Sequence, residues 1–520
     1  MGLLAELFEQ AGSLPVSAGT LLWPGLPALF VLVVVFNALS QVLFKDPNQP
    51  PMVFHWVPWV GSAVTYGMDP YKFFNTNRER FGDVYQFMLL GRRVTVCLGP
   101  KGNDFVLNAK HSAVSAEDAY RHLTKPVFGE GVIYDCPNAR LMEQKKFAKG
   151  ALTTASFRQY VPIIGEEISK FLLSSSEFYN GDAARKTGRA KLHKCMAVLT
   201  IFTASRTLQG AEVREKFDGS FADLYHDLDR GFTPLHFVFP NIPIPATRRR
   251  DAAQKKIAKT YMDVIKARRQ RGDYSSPDTI NAYLKDGVYK DGVRMTDREI
   301  SHLSIGLLMG GQHTSAATST WALLHLAADP ALAQAIYDEQ VRVFGQPDGS
   351  LAELTYDGLL ECKVLSNTIR ETLRIHPPLH SLMRKVMSDL PIEGTRYVVP
   401  KGNFVLAAPG VPMIDEAYFA DPYAYRPSRW DESKNIISMD TDDTAVVSKG
   451  AKSPYLPFGA GRHRCIGEQF AYVQLSTILA TFVRTFKLKL ADGAKTVPPP
   501  DYSSMVTLPG DPSDVLWERR

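Results

Sequence analysis

The polarity of the chain breaks sharply near its beginning. Leu26 to Phe44 reads LPALFVLVVVFNALSQVLF, 19 residues without a charge, close to the ~20 that cross a bilayer as a helix. Trp23 stands at one end, where amphipathic aromatic residues settle at the interface, and Lys45 closes the other. A cleaved signal peptide would begin basic and end in small residues. Here Glu6 and Glu9 lie upstream and no A-x-A pattern follows. The pattern predicts a retained transmembrane anchor over 21–45, with a stiff, proline-rich linker over 46–51. No Lys or Arg precedes the span and the basic body follows it. The positive-inside tendency therefore makes 1–20 a lumenal segment and places the body in the cytoplasm.

Beyond the linker the polarity alternates over Asp83–Phe87 and Arg93–Cys97, as half-buried strands do. Short strand-like runs return around Tyr397–Val399 and near the C-terminus, and the middle has helical periodicity. With no repeat and no second polar stretch, 52–520 reads as one domain, mainly α with small peripheral β-sheets. One helix stands out. Thr296 and Glu299 form a capping-box pattern before Ile300, and Asp329-Pro330 stops the run after roughly 30 residues, about 45 Å. It is apolar all round, as a core-crossing helix should be. Gly310-Gly311 interrupts it, each glycine costing roughly 1 kcal/mol against Ala, and His313, Thr314 and Ser315 follow at once. Two readings fit this patch: a close helix–helix contact with a satisfied core histidine, or a pocket where the backbone opens and hydroxyls serve protons.

Composition adds little: 45% hydrophobic and 22% charged residues suit a chain of 520 with a large core. A formal charge of +6 suits an anionic surface or an acidic partner, or simply a solvated surface. No arginine-rich arm, zinc-finger spacing or aromatic-interleaved basic stretch argues for nucleic acid. The cysteines change the picture more. Cys97, Cys136, Cys195, Cys362 and Cys465 are few, odd in number and scattered, which disfavours a disulfide framework.

Cys465 has the unusual setting. It lies in Pro457–Gly467, where Gly459, Gly461 and Gly467 let the backbone approach something flat and bulky. Arg462, His463 and Arg464 precede it, and their charge is expected to depress the thiol pKa and favour the metal-ligating thiolate. A helix begins at Glu468, setting the thiol at its positive end. The rivals are a structural cysteine beside a glycine turn and a nucleophile served by a distant base.

The string F-x-x-G-x-[HR]-x-C-x-G, met by Phe458–Gly467, resembles the cysteine loop of the cytochrome P-450 superfamily. Further likenesses follow in order: Gly310–Ser315 to its oxygen-binding groove, Glu371-Thr372-Leu373-Arg374 to its E-x-x-R, and Pro427-Ser428-Arg429-Trp430 to its P-x-R-[FW]. Positions i and i+3 share a helix face, so Glu371 and Arg374 can pair. GGQHTS over 310–315, with Tyr120–Gly129, Val132–Pro137, His380–Lys385 and Asp501–Met505, is similar to the sterol 14α-demethylases, the fungal ones above all.

That resemblance implies a cytochrome P-450 fold behind the N-terminal transmembrane helix and a haem b whose iron takes Cys465 as axial thiolate. Tyr120, Tyr134, Lys145, Arg384 and His463 would hold its propionates, with Gly459 and Gly461 shaping the loop. Thr314 would serve the oxygen chemistry, and His313 paired with Asp229 would relay protons, the plainer alternative being a salt bridge that steadies the helix. Phe128, Phe232, Pro234, Phe237, Gly310, Leu379, Ser381, Tyr502 and Met505 would line a sterol cavity. Glu371, Arg374 and Arg429 would be structural. Three oxidations would remove the 14α-methyl of lanosterol or its 24-methylene relative in ergosterol synthesis, with electrons from NADPH-cytochrome P-450 reductase, at the endoplasmic reticulum membrane. The rivals are a monooxygenase of fatty acids or xenobiotics, a haem-thiolate isomerase, and a haem carrier or sensor without turnover.

Overall fold

The capping box expected at Thr296 forms: Thr296 Oγ1 accepts from the Glu299 amide at 3.1 Å, and Glu299 Oε2 accepts from the Thr296 amide at 2.8 Å. From it the helix Asp297–Ala328 runs 32 residues, buried over most of its length, and ends where Asp329 precedes Pro330. This computed structural model describes residues 18–217, 219–431 and 450–520; residues 1–17, the larger part of the expected lumenal segment, lie outside the described residues.

Helices pack around that central one: Leu192–Gln209, Pro245–Arg271 and Glu468–Thr485 all lie against it. Gly311 faces Leu208, Ala204 and Phe470, and a Cβ there would meet them at 3.6–3.9 Å, ordinary packing distance, so this contact does not itself require glycine. The main core spans these helices, and a second cluster gathers Tyr85, Phe87, Phe404 and Met383 on a small sheet. That sheet has five strands in the order Val84–Leu89, Arg92–Cys97, Phe404–Ala407, Leu382–Val386 and Val114–Ser115. Only the second and third run parallel. A three-stranded sheet near the C-terminus joins Thr187–Lys191, Asp514–Arg519 and Phe486–Leu490. The architecture is thus helical with peripheral sheets, as the patterning implied.

The apolar helix runs Ala18–Leu43, and its window Leu26–Leu43 has a mean hydropathy of 2.2 with none of it buried in the protein. This is the behaviour of a membrane anchor. Its two amide side chains do not face lipid unpaired. Asn37 donates to the carbonyls of His55 and Trp56, both at 2.9 Å. Gln41 donates to the His55 carbonyl at 2.7 Å and accepts the His55 amide at 3.0 Å. Segment 46–51 is non-helical and lies on the domain, Gln86 donating to the Pro50 carbonyl at 2.6 Å.

Candidate active site

Cys465 sits in a tight loop, its amide donating to the Phe458 carbonyl at 3.0 Å. Gly459 and Gly461 both take φ +67°, and a Cβ on Gly461 would collide with the Leu107 carbonyl oxygen. Only glycine lets this loop lie so close to the end of the helix Gly99–Leu107. Of the five cysteines, all within the described residues, Cys465 has the most open surface, yet protein encloses it.

The expected depression of its pKa is not what the structure gives. Burial pushes the Cys465 thiol up, outweighing the Gly467 amide, Lys145 and Arg464, while Glu468 adds to the rise. Two of the three cations credited in the sequence do less than their place in the chain suggests. Arg464 pairs with Glu468 at 2.6 Å, and His463 is pulled down to about 4, first by burial and then by Arg384, so it is neutral near pH 7. Charge counted along a chain ignores which charges are already paired.

Four of the five residues assigned to the propionates converge. The rings of Tyr120 and Tyr134 lie 5.5 Å apart, and those of Tyr134 and His463 5.8 Å apart. Tyr120 Oη accepts the Met383 amide at 2.7 Å. The Arg384 charge opposes the burial that raises both tyrosines. Lys145 instead straps the cysteine loop, donating to the carbonyls of Arg462 at 3.0 Å and Arg464 at 2.8 Å. Burial lowers it to about 8. Arg384 supplies the fit test for haem. It is 4% exposed, and among the described residues no carboxylate pairs with it; its Nη1 donates only to its own neighbour's carbonyl, on Met383, at 2.8 Å. A buried guanidinium without a counter-anion is costly, and a propionate satisfies it. An open thiolate ligand, a buried cation and two hydroxyls are the donor set a haem requires.

The glycine patch of the central helix has one open position. Gly310 is exposed in mid-helix, and a Cβ there would meet nothing within 4 Å. Thr314 Oγ1 donates to the Gly310 carbonyl at 2.8 Å. His313 Nε2 lies 2.8 Å from Asp229 Oδ1. That contact is close but poorly directed, since the nitrogen has no well-aligned hydrogen-bond partner.

The residues assigned to a sterol fall into two groups. Phe128 and Phe232 lie 5.9 Å apart against the main core, with Phe128 beside Gly306 of the central helix. Phe237 and Tyr502 pack on the second cluster with Tyr120. Pro234 begins the short helix Pro234–Val238. Leu379 and Met505 are 40% and 51% exposed. Ser381 lies 2.8 Å from Tyr66 Oη and 2.9 Å from His380 Nδ1. Tyr66 carried no signal in the sequence, because it is 315 positions away. Asn138 and Glu117 were missed likewise: the Asn138 amide donates to Glu117 at 2.8 Å beside His463.

Glu371, Arg374 and Arg429 form one buried cluster, with Glu371 Oε1 2.8 Å from each arginine.

Comparison with known proteins agrees. The cytochrome P-450 family model matches residues 50–517. A lanosterol 14-alpha demethylase of Candida tropicalis is 53% identical over 95% of this chain and 94% of its own. A sterol 14-alpha demethylase of Gibberella zeae is 49% identical over 100% of both. An eburicol 14-alpha-demethylase of Uncinula necator is 47% identical over 95% of this chain and 94% of its own. A cyanobacterial protein solved with retinoic acid bound shares the fold, with a TM-score of 0.74 at 18% identity, over 92% of this chain and 100% of that one.

Proposed function

The chain belongs to the cytochrome P-450 family, and from that membership we propose that it removes the 14α-methyl group of lanosterol or its 24-methylene relative, in ergosterol biosynthesis. It is a haem-thiolate monooxygenase. The near-full-length likeness to three named 14-alpha demethylases carries the substrate assignment. Each of two rounds consumes one oxygen molecule, two electrons and two protons: the first inserts one oxygen and releases one water, taking methyl to alcohol, and the second takes alcohol to aldehyde and releases two waters. The third, with the same inputs, releases formic acid and water and leaves a ring double bond.

When bound, the haem supplies reductive activation of oxygen, which its thiolate ligand favours. The rest falls to the chain. Arg384, Tyr120, Tyr134 and His463 would hold the propionates, and Lys145 would keep the cysteine loop closed around its ligand. Thr314 would deliver a proton at Oγ1, replenished from solvent through His313 Nε2 and the Asp229 carboxylate. Phe128, Phe232, Pro234, Phe237, Gly310, Leu379, Ser381, Tyr502 and Met505 would hold the sterol in an apolar wall. Family membership implies an external electron donor; we assign that role to NADPH-cytochrome P-450 reductase. We place residues 52–520 in the cytoplasm as the catalytic domain, anchored by 21–45 in the endoplasmic reticulum membrane.

The test incubates the full-length holoprotein with that reductase, NADPH and lanosterol or 24-methylenelanosterol. Product lacking the 14α-methyl, together with formate, is expected, and both should vanish in Cys465→Ala and without reductase. No product from protein whose reduced carbon monoxide spectrum shows thiolate ligation would keep the haem assignment and overturn the sterol one.

A further inference from the structure

Most buried arginines here hold carboxylates: Arg374 and Arg429 take Glu371, and Arg268 takes Asp278 at 2.7 Å. Arg92, half-buried at the head of strand Arg92–Cys97, is different. Among the described residues it forms no ion pair. Its guanidinium lies 4.0 Å from the centre of the Phe237 ring and 5.3 Å from that of Phe404. Its Nη2 meets His122 Nε2 at 2.9 Å and donates to the Phe237 carbonyl at 3.2 Å. Burial, then Arg92 itself, draws His122 down to about 4. The imidazole is therefore neutral and Nε2 accepts.

These contacts tie three separate elements. One is the strand. The second is the helix Glu117–Phe128, which carries Tyr120, His122 and Phe128. The third is Pro234–Val238, five residues long, too short to hold its own shape. A second tether holds its far side: Thr233 Oγ1 meets His236 Nδ1 at 2.7 Å, and His236 Nε2 lies 3.0 Å from Thr247 Oγ1. Around this segment Leu235, Val238 and Phe239 are exposed, while Phe237 packs against the second core cluster, as Tyr66, Tyr120 and Tyr502 do. One aromatic side chain thus stands between the outside and the second core cluster, and a cation with only soft partners holds it. Each such contact is weak and separately breakable, unlike a buried bidentate ion pair.

We propose that Arg92 is a positioning residue that holds Phe237 in the wall of the ligand cavity, so that bulky ligands exchange only when Arg92 releases it. This rests on the reading of Phe237 as cavity wall given above.

The test follows two haem ligands into the full-length holoprotein by stopped-flow absorbance: 4-phenylimidazole, which is small, and ketoconazole, which is long. In Arg92→Leu, both association and dissociation of ketoconazole should quicken about tenfold, as when a closed state loses its bias, while 4-phenylimidazole keeps its rates. Arg92→Lys keeps the charge and loses the fork, so its ketoconazole rates should fall between the two. Unchanged ketoconazole rates in Arg92→Leu, or equal quickening of both ligands, would overturn the proposal. Should Arg92→Leu fail to fold, Phe237→Ala must show the same selective quickening. Lanosterol is the third ligand. If it perturbs neither spectrum while ketoconazole shows the effect, the latch stands and the sterol reading falls.

Discussion

Arg374 grips Glu371 with both prongs of its guanidinium, Nε to Oε2 at 2.9 Å and Nη2 to Oε1 at 2.8 Å, where neither side chain touches solvent. The same carboxylate accepts from Arg429 Nε at 2.8 Å, Trp430 Nε1 at 3.0 Å and the Arg426 amide at 3.0 Å. One anion therefore serves two buried cations and joins the helix Lys363–Ile375 to the segment Pro427–Trp430. Breaking such a pair from one side strands the other charges, at a cost of about 3–5 kcal/mol. Glu371→Gln should lower the urea midpoint correspondingly and yield little haem-loaded protein. An unfolding free energy within about 1 kcal/mol of the parent's, against that scale, would show that the cluster does not hold the fold.

The pairing of His313 with Asp229 predicts a kinetic split. Asp229→Asn should slow sterol turnover by about 10², the usual range for lost acid–base assistance, with ligand-binding spectra and thermal midpoint unchanged. A fall in midpoint with turnover lost in proportion would favour the salt bridge that steadies the helix.

Thr314 gives a different signature. Its hydroxyl sits one turn from Gly310, at the open part of the helix. Thr314→Ala should go on consuming NADPH and oxygen while product per NADPH drops by roughly tenfold or more. Product and NADPH consumption falling together would place the hydroxyl outside proton delivery.

His325 and His376 predict how stability follows pH. Their Nε2 atoms meet at 2.9 Å in the core, His376 stacked on Trp321 and His325 on Tyr425. Burial lowers His325 to about 3 and His376 well below its ordinary value. The folded state thus stays neutral at pH values where the unfolded chain takes up protons. Stability is fully present above pH 6.5 and is lost as the pH falls from 6.5 toward about 3. Each histidine contributes a slope of up to ~1.4 kcal/mol per pH unit in that window. Urea unfolding between pH 7.5 and 5 should show this decline, and His325→Gln should flatten it. A slope unchanged by that substitution would mean the pair is not what titrates.

What was legible in the sequence was local. The capping box at Thr296, the strand alternation beginning near Val84 and the i,i+3 partnership of Glu371 and Arg374 all depend on near neighbours, and all form. The cysteine loop was legible because its glycines and thiol sit within eleven positions. The thiol's acidity was not, since it depends on burial and on Glu468 claiming Arg464. Arg92 was invisible for a similar reason. Its partners His122, Phe237 and Phe404 stand 30 to more than 300 positions away, and nothing in an arginine at a strand's edge announces a ring above it.

The hydrogen bonds that tie the Asn37 and Gln41 side chains to the backbone of His55 and Trp56 carry a mechanical consequence. A leash would let the domain tumble above the bilayer; this joint is stepped like a mast into a keel. The body can rock, but it cannot swivel without breaking four bonds together. The contacts therefore fix the direction in which the body leaves the helix, rather than letting the two turn independently.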